Sequence, residues 1–132
     1  MIAFFLLPMQ YSIIIPIYNE KNTLSRLLSS LKYYHDNGNE VLIIDDGSDD
    51  GSSYILRDAT FLKLITLKKN SGKGAAIKTA LLISKYNKTI IFDGDLELNT
   101  NDISKFMLLD KNKKNYSIMG YRFKELTPFG SG

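Results

Sequence analysis

The sequence predicts an α/β fold in which helices cover both faces of a mainly parallel sheet. Short, continuous apolar runs recur along the chain, which is typical of strands that are buried on both faces. Helical patterns of apolar residues lie between these runs, and such alternation favours a doubly wound, Rossmann-like sheet. The 132 residues are enough for one domain with a hydrophobic core.

Five segments rich in β-branched and other apolar residues are predicted as strands. The polar residues Lys63 and Thr66 interrupt the third segment. All five are bounded by polar or turn-forming residues. In chain order they cover residues 12–17, 41–44, 62–67, 89–92 and 116–120.

The first predicted helix covers residues 20–34. Its leucines recur at positions i, i+3, i+4 and i+7, which gives one apolar stripe facing the sheet. The pair Asn37-Gly38 predicts the end of this helix. The leucines of the stripe are Leu24, Leu27, Leu28 and Leu31.

Three further helices are predicted over residues 49–56, 72–86 and 101–110. The first opens at Asp49-Asp50-Gly51, a turn-forming run. Small side chains in the second predict close packing on the sheet, and apolar side chains in the third predict a buried face. These residues are Ala75, Ala76 and Ala80 in the second helix and Ile103, Phe106 and Met107 in the third.

Composition excludes several classes of site. The chain has no cysteine, which excludes disulfides, thiolate zinc sites and a cysteine nucleophile and is compatible with a reducing cytoplasm. The net charge of +3 comes from scattered lysines and indicates a solvated surface, with no nucleic-acid partner expected. His35, the one histidine, is interpreted as a favourable residue at a helix end, so serine–histidine catalysis is not expected.

Residues 1–9 are apolar and uncharged. They lack the positive region and cleavage site of a secretory signal, and Pro8 interrupts a run too short to span a membrane. We expect residues 1–9 to be an N-terminal extension and residues 10–132 to form the domain.

Polar clusters follow each predicted strand. In open α/β sheets, ligands bind outside the carboxyl ends of the strands, so these clusters are expected to converge on one edge. They comprise residues 18–20, 45–50, 70–74, 93–97 and 121–122.

Asp93-Gly94-Asp95 is the strongest candidate for metal binding. It directly follows the apolar run 89–92, and two carboxylates separated by glycine can both reach one hard cation. A divalent ion held in this way can bridge the oxygens of a diphosphate and act as a Lewis acid. Chance occurrences of this pattern in loops are common, so a plain loop stays open as the alternative.

Asp45-Asp46-Gly47-Ser48 closes the second predicted strand. One interpretation is a tight turn with a helix cap, since these residue types form turns. The other is that a carboxylate accepts hydrogen bonds from a nucleobase or ribose, as acidic residues at this place in nucleotide-binding folds do. Tyr18, after the first strand, is placed where its ring can stack on a base.

Asn70-Ser71-Gly72-Lys73-Gly74 lies at a predicted helix start, where backbone N–H groups favour anions. Lys73 adds a point charge for a phosphate. The run fits neither a Walker loop nor a dinucleotide fingerprint. Helix capping with close packing is the structural alternative.

Taken together, four ordered motifs resemble those of family 2 glycosyltransferases with the GT-A fold, the nucleotide-diphospho-sugar transferase fold. The resemblance covers residues 11–123, and the ending Gly120-Tyr121-Arg122-Phe123 is most similar to polyprenyl-phosphate sugar synthases of the dolichyl-phosphate mannose or glucose kind. The motifs run over residues 12–20, 41–48, 70–74 and 93–97.

This resemblance implies roles for individual residues. The implied metal ligands are Asp93 and Asp95, holding Mg²⁺ or Mn²⁺ against the diphosphate, with Gly94 allowing close approach. Arg122 matches the family arginine that reaches the donor, and Lys73 is a further contact. The implied nucleoside pocket consists of Pro16, Tyr18, Glu20, Ile44 and Asp46, with Asp45 supporting it.

The implied reaction is inverting transfer of a sugar from a UDP- or GDP-linked donor, with a lipid phosphate as acceptor at the cytoplasmic membrane face. Cell-envelope glycan synthesis is the implied setting. Complete family members continue into an acceptor half, so we expect the C-terminal part of the fold and the catalytic base to lie outside this sequence. The donor's sugar and base and the oligomeric state stay open.

Two alternative functions stay open. The first is a non-catalytic or truncated nucleotide-sugar-binding fragment, which would bind the donor without turnover. The second is an aspartate-nucleophile phosphatase, because residues 90–95 fit the strand-Asp-x-Asp pattern of that class. Glu97 stands where that class carries threonine or valine.

Overall fold

The computed structural model describes residues 10–68, 73–92, 101–110 and 118–119. Strands and helices alternate along these residues, as the sequence predicts. The elements are β1 (Tyr11–Ile17), α1 (Lys21–Asp36), β2 (Glu40–Asp45), α2 (Ser52–Asp58), β3 (Lys63–Thr66), α3 (Lys73–Ile83), β4 (Lys88–Ile91), α4 (Asn101–Asp110) and β5 (Ile118–Met119).

The strands form one parallel sheet in the order β3-β2-β1-β4-β5. β1 lies at the centre, where Pro16 pairs with Ile44 of β2 and Tyr11 pairs with Lys88 of β4. Because every pair is parallel, the carboxyl ends of all five strands point to the same edge. The loops after β1 and β2 therefore lie side by side.

Successive residues of β1 point to opposite faces of the sheet and enter separate hydrophobic clusters. Ile13, Ile15 and Ile17 face the side covered by α1, α2 and α4. Buried residues of the three helices complete this cluster, and Phe106 and Met107 of α4 pack against it. The buried helical residues are Leu24, Leu31, Tyr34, Leu56 and Ile103.

In the described residues, α3 covers the other face of the sheet. Ala76 and Ala80 are fully buried, so this helix packs closely on Ile14, Leu42 and Ile44. Ala75, predicted to share this packing, is exposed. It lies one position off the i, i+4 stripe formed by the two buried alanines.

Three details differ from the sequence-based expectation. β3 is exposed or half-buried along its length, because it is the edge strand, whereas the sequence predicts burial on both faces. α2 begins at Ser52 rather than at residue 49, because Gly51 has a left-handed backbone with φ of +97°. α3 covers Lys73–Ile83, a shorter span than predicted. The predicted end of α1 is confirmed, with Gly38 at φ +98°.

Candidate functional site

The loops that follow β1 and β2 meet at the carboxyl edge of the sheet. Asp46 donates its backbone N–H to the carbonyl of Ile17 at 3.0 Å, and Leu67 donates to the carbonyl of Asp45 at 2.8 Å. These bonds extend the strand pairing to the base of each loop. Polar side chains from two neighbouring strands are thereby brought to one place.

Asp45 is fully buried at the end of β2. Its Oδ1 accepts a hydrogen bond of 2.9 Å from the backbone N–H of Ser48, and Gly47 between them has φ of +85°. The turn predicted for this run is therefore formed. Among the described residues, Oδ2 of Asp45 has no hydrogen-bond partner. A buried carboxylate oxygen without a donor is costly, so this atom favours a polar ligand or neighbour at the strand end.

The loop after β1 carries Tyr18, Asn19 and Glu20. Tyr18 is 36% exposed, so its ring is accessible, whereas Asp46 on the neighbouring loop is only 6% exposed. Asn19 has a positive φ of +52°. An aromatic ring and a nearly buried carboxylate at adjacent strand ends are the two kinds of group that stack on and hydrogen-bond to a nucleobase.

Hydrogen bonds join the two loops. Ser48 Oγ accepts from the N–H of Asn19 at 2.8 Å, and Asn19 Oδ1 accepts from the N–H of Asp49 at 2.9 Å. Asp50 Oδ2 accepts from the N–H of Lys21 at 3.0 Å. The loops are therefore fixed relative to each other by side chains of both.

Asp50 also stabilises the starts of two helices. Its Oδ1 accepts from both the N–H and the hydroxyl of Ser52, at 3.0 and 2.6 Å. Its bond with Lys21 satisfies a free N–H at the start of α1, where Glu20 provides no side-chain cap. Hydrogen bonds from Ser52 lower the pKa of Asp50 below its ordinary value, which outweighs the opposing effect of desolvation.

A pocket of about 340 Å³ opens beside these loops. Its size suits a small polar ligand or part of a larger one. Lining residues come from the loop after β1, from the first turn of α1 and from the loop after β2. They are Asn19, Glu20, Lys21, Asn22, Thr23 and Asp50.

The structure brings six of the predicted site residues together at the ends of β1 and β2. Pro16 and Ile44 are buried register partners and can form only the floor. The other four stand at or just beyond the strand ends: Tyr18, Glu20, Asp45 and Asp46.

The remaining predicted site residues are described less fully. The backbone of Lys73 begins α3. Phe92 donates its N–H to the carbonyl of Ile14 at 2.9 Å, so β4 reaches the same edge next to β1. Four predicted residues lie outside the described residues: Asp93, Gly94, Asp95 and Arg122.

Asn19, Ser48 and Asp50 form contacts that the sequence did not predict. Their residue types are a signal, because short polar side chains in loops often accept hydrogen bonds from backbone N–H groups. Their partners, however, are some 30 positions away along the chain. Only the pairing of β1 with β2 brings these residues into contact.

Comparisons with known proteins agree with this architecture. The chain is 35% identical over 117 residues to undecaprenyl-phosphate 4-deoxy-4-formamido-L-arabinose transferase of Aeromonas hydrophila, which covers 83% of the chain and 35% of that protein. It is 31% identical over 119 residues to dolichyl-phosphate beta-glucosyltransferase of Dictyostelium discoideum, covering 79% and 36%. The chain thus spans about a third of the length of these curated relatives.

A solved structure is also similar. It is a mannosyltransferase from Pyrobaculum calidifontis in complex with GDP-Man and Mn²⁺, with a TM-score of 0.58 and 28% sequence identity. The match covers 64% of the chain and 27% of the mannosyltransferase. This likeness and the parallel sheet confirm the predicted GT-A fold, and the match covers only part of the mannosyltransferase.

The motifs at the strand ends thus occur in a chain whose relatives and structural neighbour are glycosyltransferases, which favours this class over the phosphatase alternative. Residues 12–129 match the sequence model of Glycosyl transferase family 2. The chain therefore belongs to glycosyl transferase family 2.

Proposed function

We propose that this chain forms the donor-binding part of a hexosyltransferase that takes a sugar from a nucleoside diphosphate. The observation that carries the proposal is the meeting of Tyr18, Glu20, Asp45 and Asp46 at adjacent strand ends, in a chain that matches the family over residues 12–129. This is the place where open α/β sheets bind nucleotides.

The described residues support a nucleoside pocket. Pro16 and Ile44 form its floor, and the accessible ring of Tyr18 stacks on the base. Asp46 and Glu20 accept hydrogen bonds from base or ribose. Asp45, with one oxygen already bound to Ser48, holds the turn in place, and its second oxygen is buried without a hydrogen-bond partner among the described residues.

Beyond the described residues, we assign the diphosphate to the carboxyl end of β4. Asp93 and Asp95 offer the hard oxygen ligands that Mg²⁺ and Mn²⁺ prefer, and Gly94 lets the phosphates approach closely. Such an ion, when bound, would neutralise the charge that develops on the leaving diphosphate. Lys73 and Arg122 add positive charge toward the phosphates. The solved neighbour with GDP-Man and Mn²⁺ supports this assignment.

We further propose that the acceptor is a polyprenyl phosphate and that the transfer inverts the anomeric configuration. An oxygen of the acceptor attacks the anomeric carbon in line while the nucleoside diphosphate leaves, and positively charged groups stabilise the departing oxygens. The names of two relatives, which specify undecaprenyl and dolichyl phosphate, support a lipid acceptor.

A lipid acceptor implies that the sugar transfer takes place at a membrane surface, and we propose that this is the cytoplasmic face of the membrane. Among the helices that the structure describes, none is long and apolar enough to cross a bilayer.

Calorimetric titration of the chain with GDP, UDP, GDP-mannose and UDP-glucose, with and without Mn²⁺, tests the donor site. We expect one nucleotide to bind in the presence of Mn²⁺, and Asp46→Ala and Asp95→Ala to weaken that binding. Asp58→Ala is the matched control, because Asp58 is exposed at the end of α2 that points away from the site. Equal binding by all variants would contradict the assignment.

A nucleotide-sugar-binding fragment without turnover is the second candidate function. It is favoured by one observation, that the chain spans about a third of the length of its relatives. Incubation of the chain with the bound nucleotide sugar and a polyprenyl phosphate separates the two functions. Product formation supports the transferase, and donor binding without product supports the fragment.

A further inference from the structure

We infer that Asn19 and Ser48 are a positioning pair, which holds the proposed nucleoside-binding residues of two loops at a fixed separation. The inference rests on the proposed function. Neither residue is among the proposed nucleoside-binding residues, and of the two only Asn19 lines the pocket beside these loops. Their effect is on Tyr18 and Glu20, which flank Asn19, and on Asp46, which stands on the neighbouring loop.

The contact between the two loops is reciprocal. The side chain of Ser48 accepts from the backbone N–H of Asn19 at 2.8 Å, and the side chain of Asn19 accepts from the backbone N–H of Asp49 at 2.9 Å. Each loop thus contributes one side-chain acceptor and one backbone donor. The loops cannot separate without breaking both bonds.

The backbone of Asn19 indicates that its position is imposed by these contacts. Asn19 is the one non-glycine residue with positive φ, at +52°, among the residues that the structure describes. Asparagine tolerates this conformation better than most residues because its short amide can bond to nearby backbone. Here the amide bonds to the other loop instead. Unusual backbone held by surrounding structure is characteristic of functional sites.

The pair is anchored to the rigid sheet. The N–H of Ser48 donates to Oδ1 of Asp45 at 2.9 Å, and Asp45 is fully buried at the end of β2. On the other side, the bond from Lys21 N–H to Asp50 attaches the start of α1 to the same loop. These bonds fix the exposed loop after β2 to the buried end of that strand.

Holding the two loops together in this way affects ligand affinity more than the global stability of the fold. A nucleotide that contacts both loops need not order them first, and avoiding that ordering raises affinity. Asn19 is exposed and Ser48 is half-buried, and neither belongs to a hydrophobic cluster, so loss of their bonds leaves the core intact.

Four variants of the chain test the pair, with GDP and UDP in the presence of Mn²⁺ as probes. Asn19→Gly tolerates the positive φ and removes the amide acceptor, and Ser48→Ala removes the hydroxyl. Ser48→Thr restores the hydroxyl. The control is Asn37→Ala, which removes an exposed side-chain hydrogen bond of 2.7 Å to the Tyr33 carbonyl at the opposite end of α1.

We expect Asn19→Gly and Ser48→Ala each to weaken nucleotide binding about three- to tenfold, the range for one neutral hydrogen bond. Ser48→Thr should bind within about twofold of the unsubstituted chain, and Asn37→Ala should bind equally well. Melting temperatures of Asn19→Gly, Ser48→Ala and Asn37→Ala should be similar, because each loses a peripheral bond.

Two results would overturn the inference about the positioning pair and leave the proposed function intact. One is unchanged nucleotide affinity in Asn19→Gly and Ser48→Ala, and the other is an equal loss of affinity in Asn37→Ala, which would reveal a general effect of stability. If the unsubstituted chain is folded by circular dichroism and binds neither nucleotide, the proposed function fails and the positioning role fails with it.

Discussion

The hydroxyl of Ser12 donates a hydrogen bond of 2.6 Å to Oε1 of Glu40, its register partner in the neighbouring strand. The same oxygen accepts from the backbone N–H of Lys85 at 2.6 Å, and Ser12 Oγ accepts from the N–H of Tyr86 at 3.0 Å. Oε2 of Glu40 forms an ion pair with Lys63 at 2.8 Å. One nearly buried carboxylate therefore joins β1, β2, β3 and the α3–β4 loop, at the edge opposite the candidate site.

We expect Glu40→Gln to destabilise the fold by about 1–3 kcal/mol, the usual effect of losing hydrogen bonds to a buried charged group. Glutamine keeps the shape of the side chain and loses its charge. Urea unfolding at neutral pH measures the change. Asp36→Asn is the control, because the ion pair of Asp36 with Lys32 is exposed on both sides and should contribute little. Equal effects of the two substitutions would contradict a structural role for Glu40.

The same carboxylate predicts a pH dependence of stability. Burial alone would raise the pKa of Glu40, but the ion pair with Lys63 and the hydrogen bonds from Ser12 and the Lys85 backbone together lower it below the ordinary value of 4.5. A lowered pKa in the folded state means that the folded protein binds this proton less readily than the unfolded chain. The contribution of Glu40 to stability is therefore complete above pH 4.5 and is lost as the pH falls through the folded-state pKa.

Unfolding free energies measured from pH 7 down to pH 3 should show this loss. The decrease below about pH 4.5 should be shallower in Glu40→Gln, because glutamine does not titrate. A decrease of the same slope in both proteins would show that other carboxylates account for the acid sensitivity.

The element order was predictable because it depends on local patterns. The leucine stripe of α1 and the apolar runs of β1, β2 and β4 indicate helix and strand directly. The exposure of β3 was not predictable in this way, because an edge position follows from the strand order of the whole sheet. The start of α2 depends on the backbone of Gly51, and the residue type alone does not fix its φ.

The candidate site, too, has features that could be predicted from the sequence and features that could not. Tyr18, Asp45 and Asp46 could be found from sequence because polar residues at strand ends follow a general rule of parallel sheets. The bonds between Asn19 and Ser48 could not, since they require β1 and β2 to be neighbours in a particular register. The contact between these two residues follows from the pairing of the strands and not from local sequence propensity.

Two glycines give opposite predictions for substitution by alanine. Gly38 has φ of +98°, and an added Cβ would lie 3.7 Å from Gln10 Nε2, so space is sufficient and only backbone strain remains. Gly74 lies in α3, and an added Cβ would contact nothing within 4 Å among the described residues. We expect Gly38→Ala to destabilise by about 1–2 kcal/mol and Gly74→Ala to stabilise by about 0.5–1 kcal/mol.

Thermal and urea unfolding of both glycine variants test this pair of predictions. The sign of the two effects is the decisive result, because both substitutions add the same methyl group. Destabilisation by Gly74→Ala would show that α3 begins differently from the described helix. A neutral Gly38→Ala would show that the turn after α1 adjusts its backbone without strain.

The hydroxyls of Tyr34 and Ser104 lie 2.7 Å apart and link α1 to α4. We expect Tyr34→Phe and Ser104→Ala each to destabilise the fold and to be coupled by about 0.5–1.5 kcal/mol in a double-mutant cycle. Urea unfolding of the four proteins gives the coupling energy. Strict additivity would mean that the two hydroxyls do not share a hydrogen bond in solution.

We expect the Asp45→Asn substitution to have different effects on the stability of the fold and on ligand binding at the candidate site. In the folded chain, Oδ2 of Asp45 is buried without a hydrogen-bond partner among the described residues, and a buried charge of this kind opposes folding. Asparagine removes the charge and keeps an oxygen that can accept from the Ser48 N–H. We therefore expect the free energy of unfolding to stay equal or to rise, while the affinity for GDP or UDP falls.

Urea unfolding and calorimetric titration of the same Asp45→Asn sample measure both effects. Asp58→Asn, exposed at the end of α2, is the control and should change neither quantity. Lower stability with unchanged nucleotide affinity would show that Asp45 serves the fold alone, and that its second oxygen faces a protein group. A fall in affinity at equal or higher stability would show that this oxygen is kept unpaired in the free protein for its ligand, because the charge then opposes folding and favours binding.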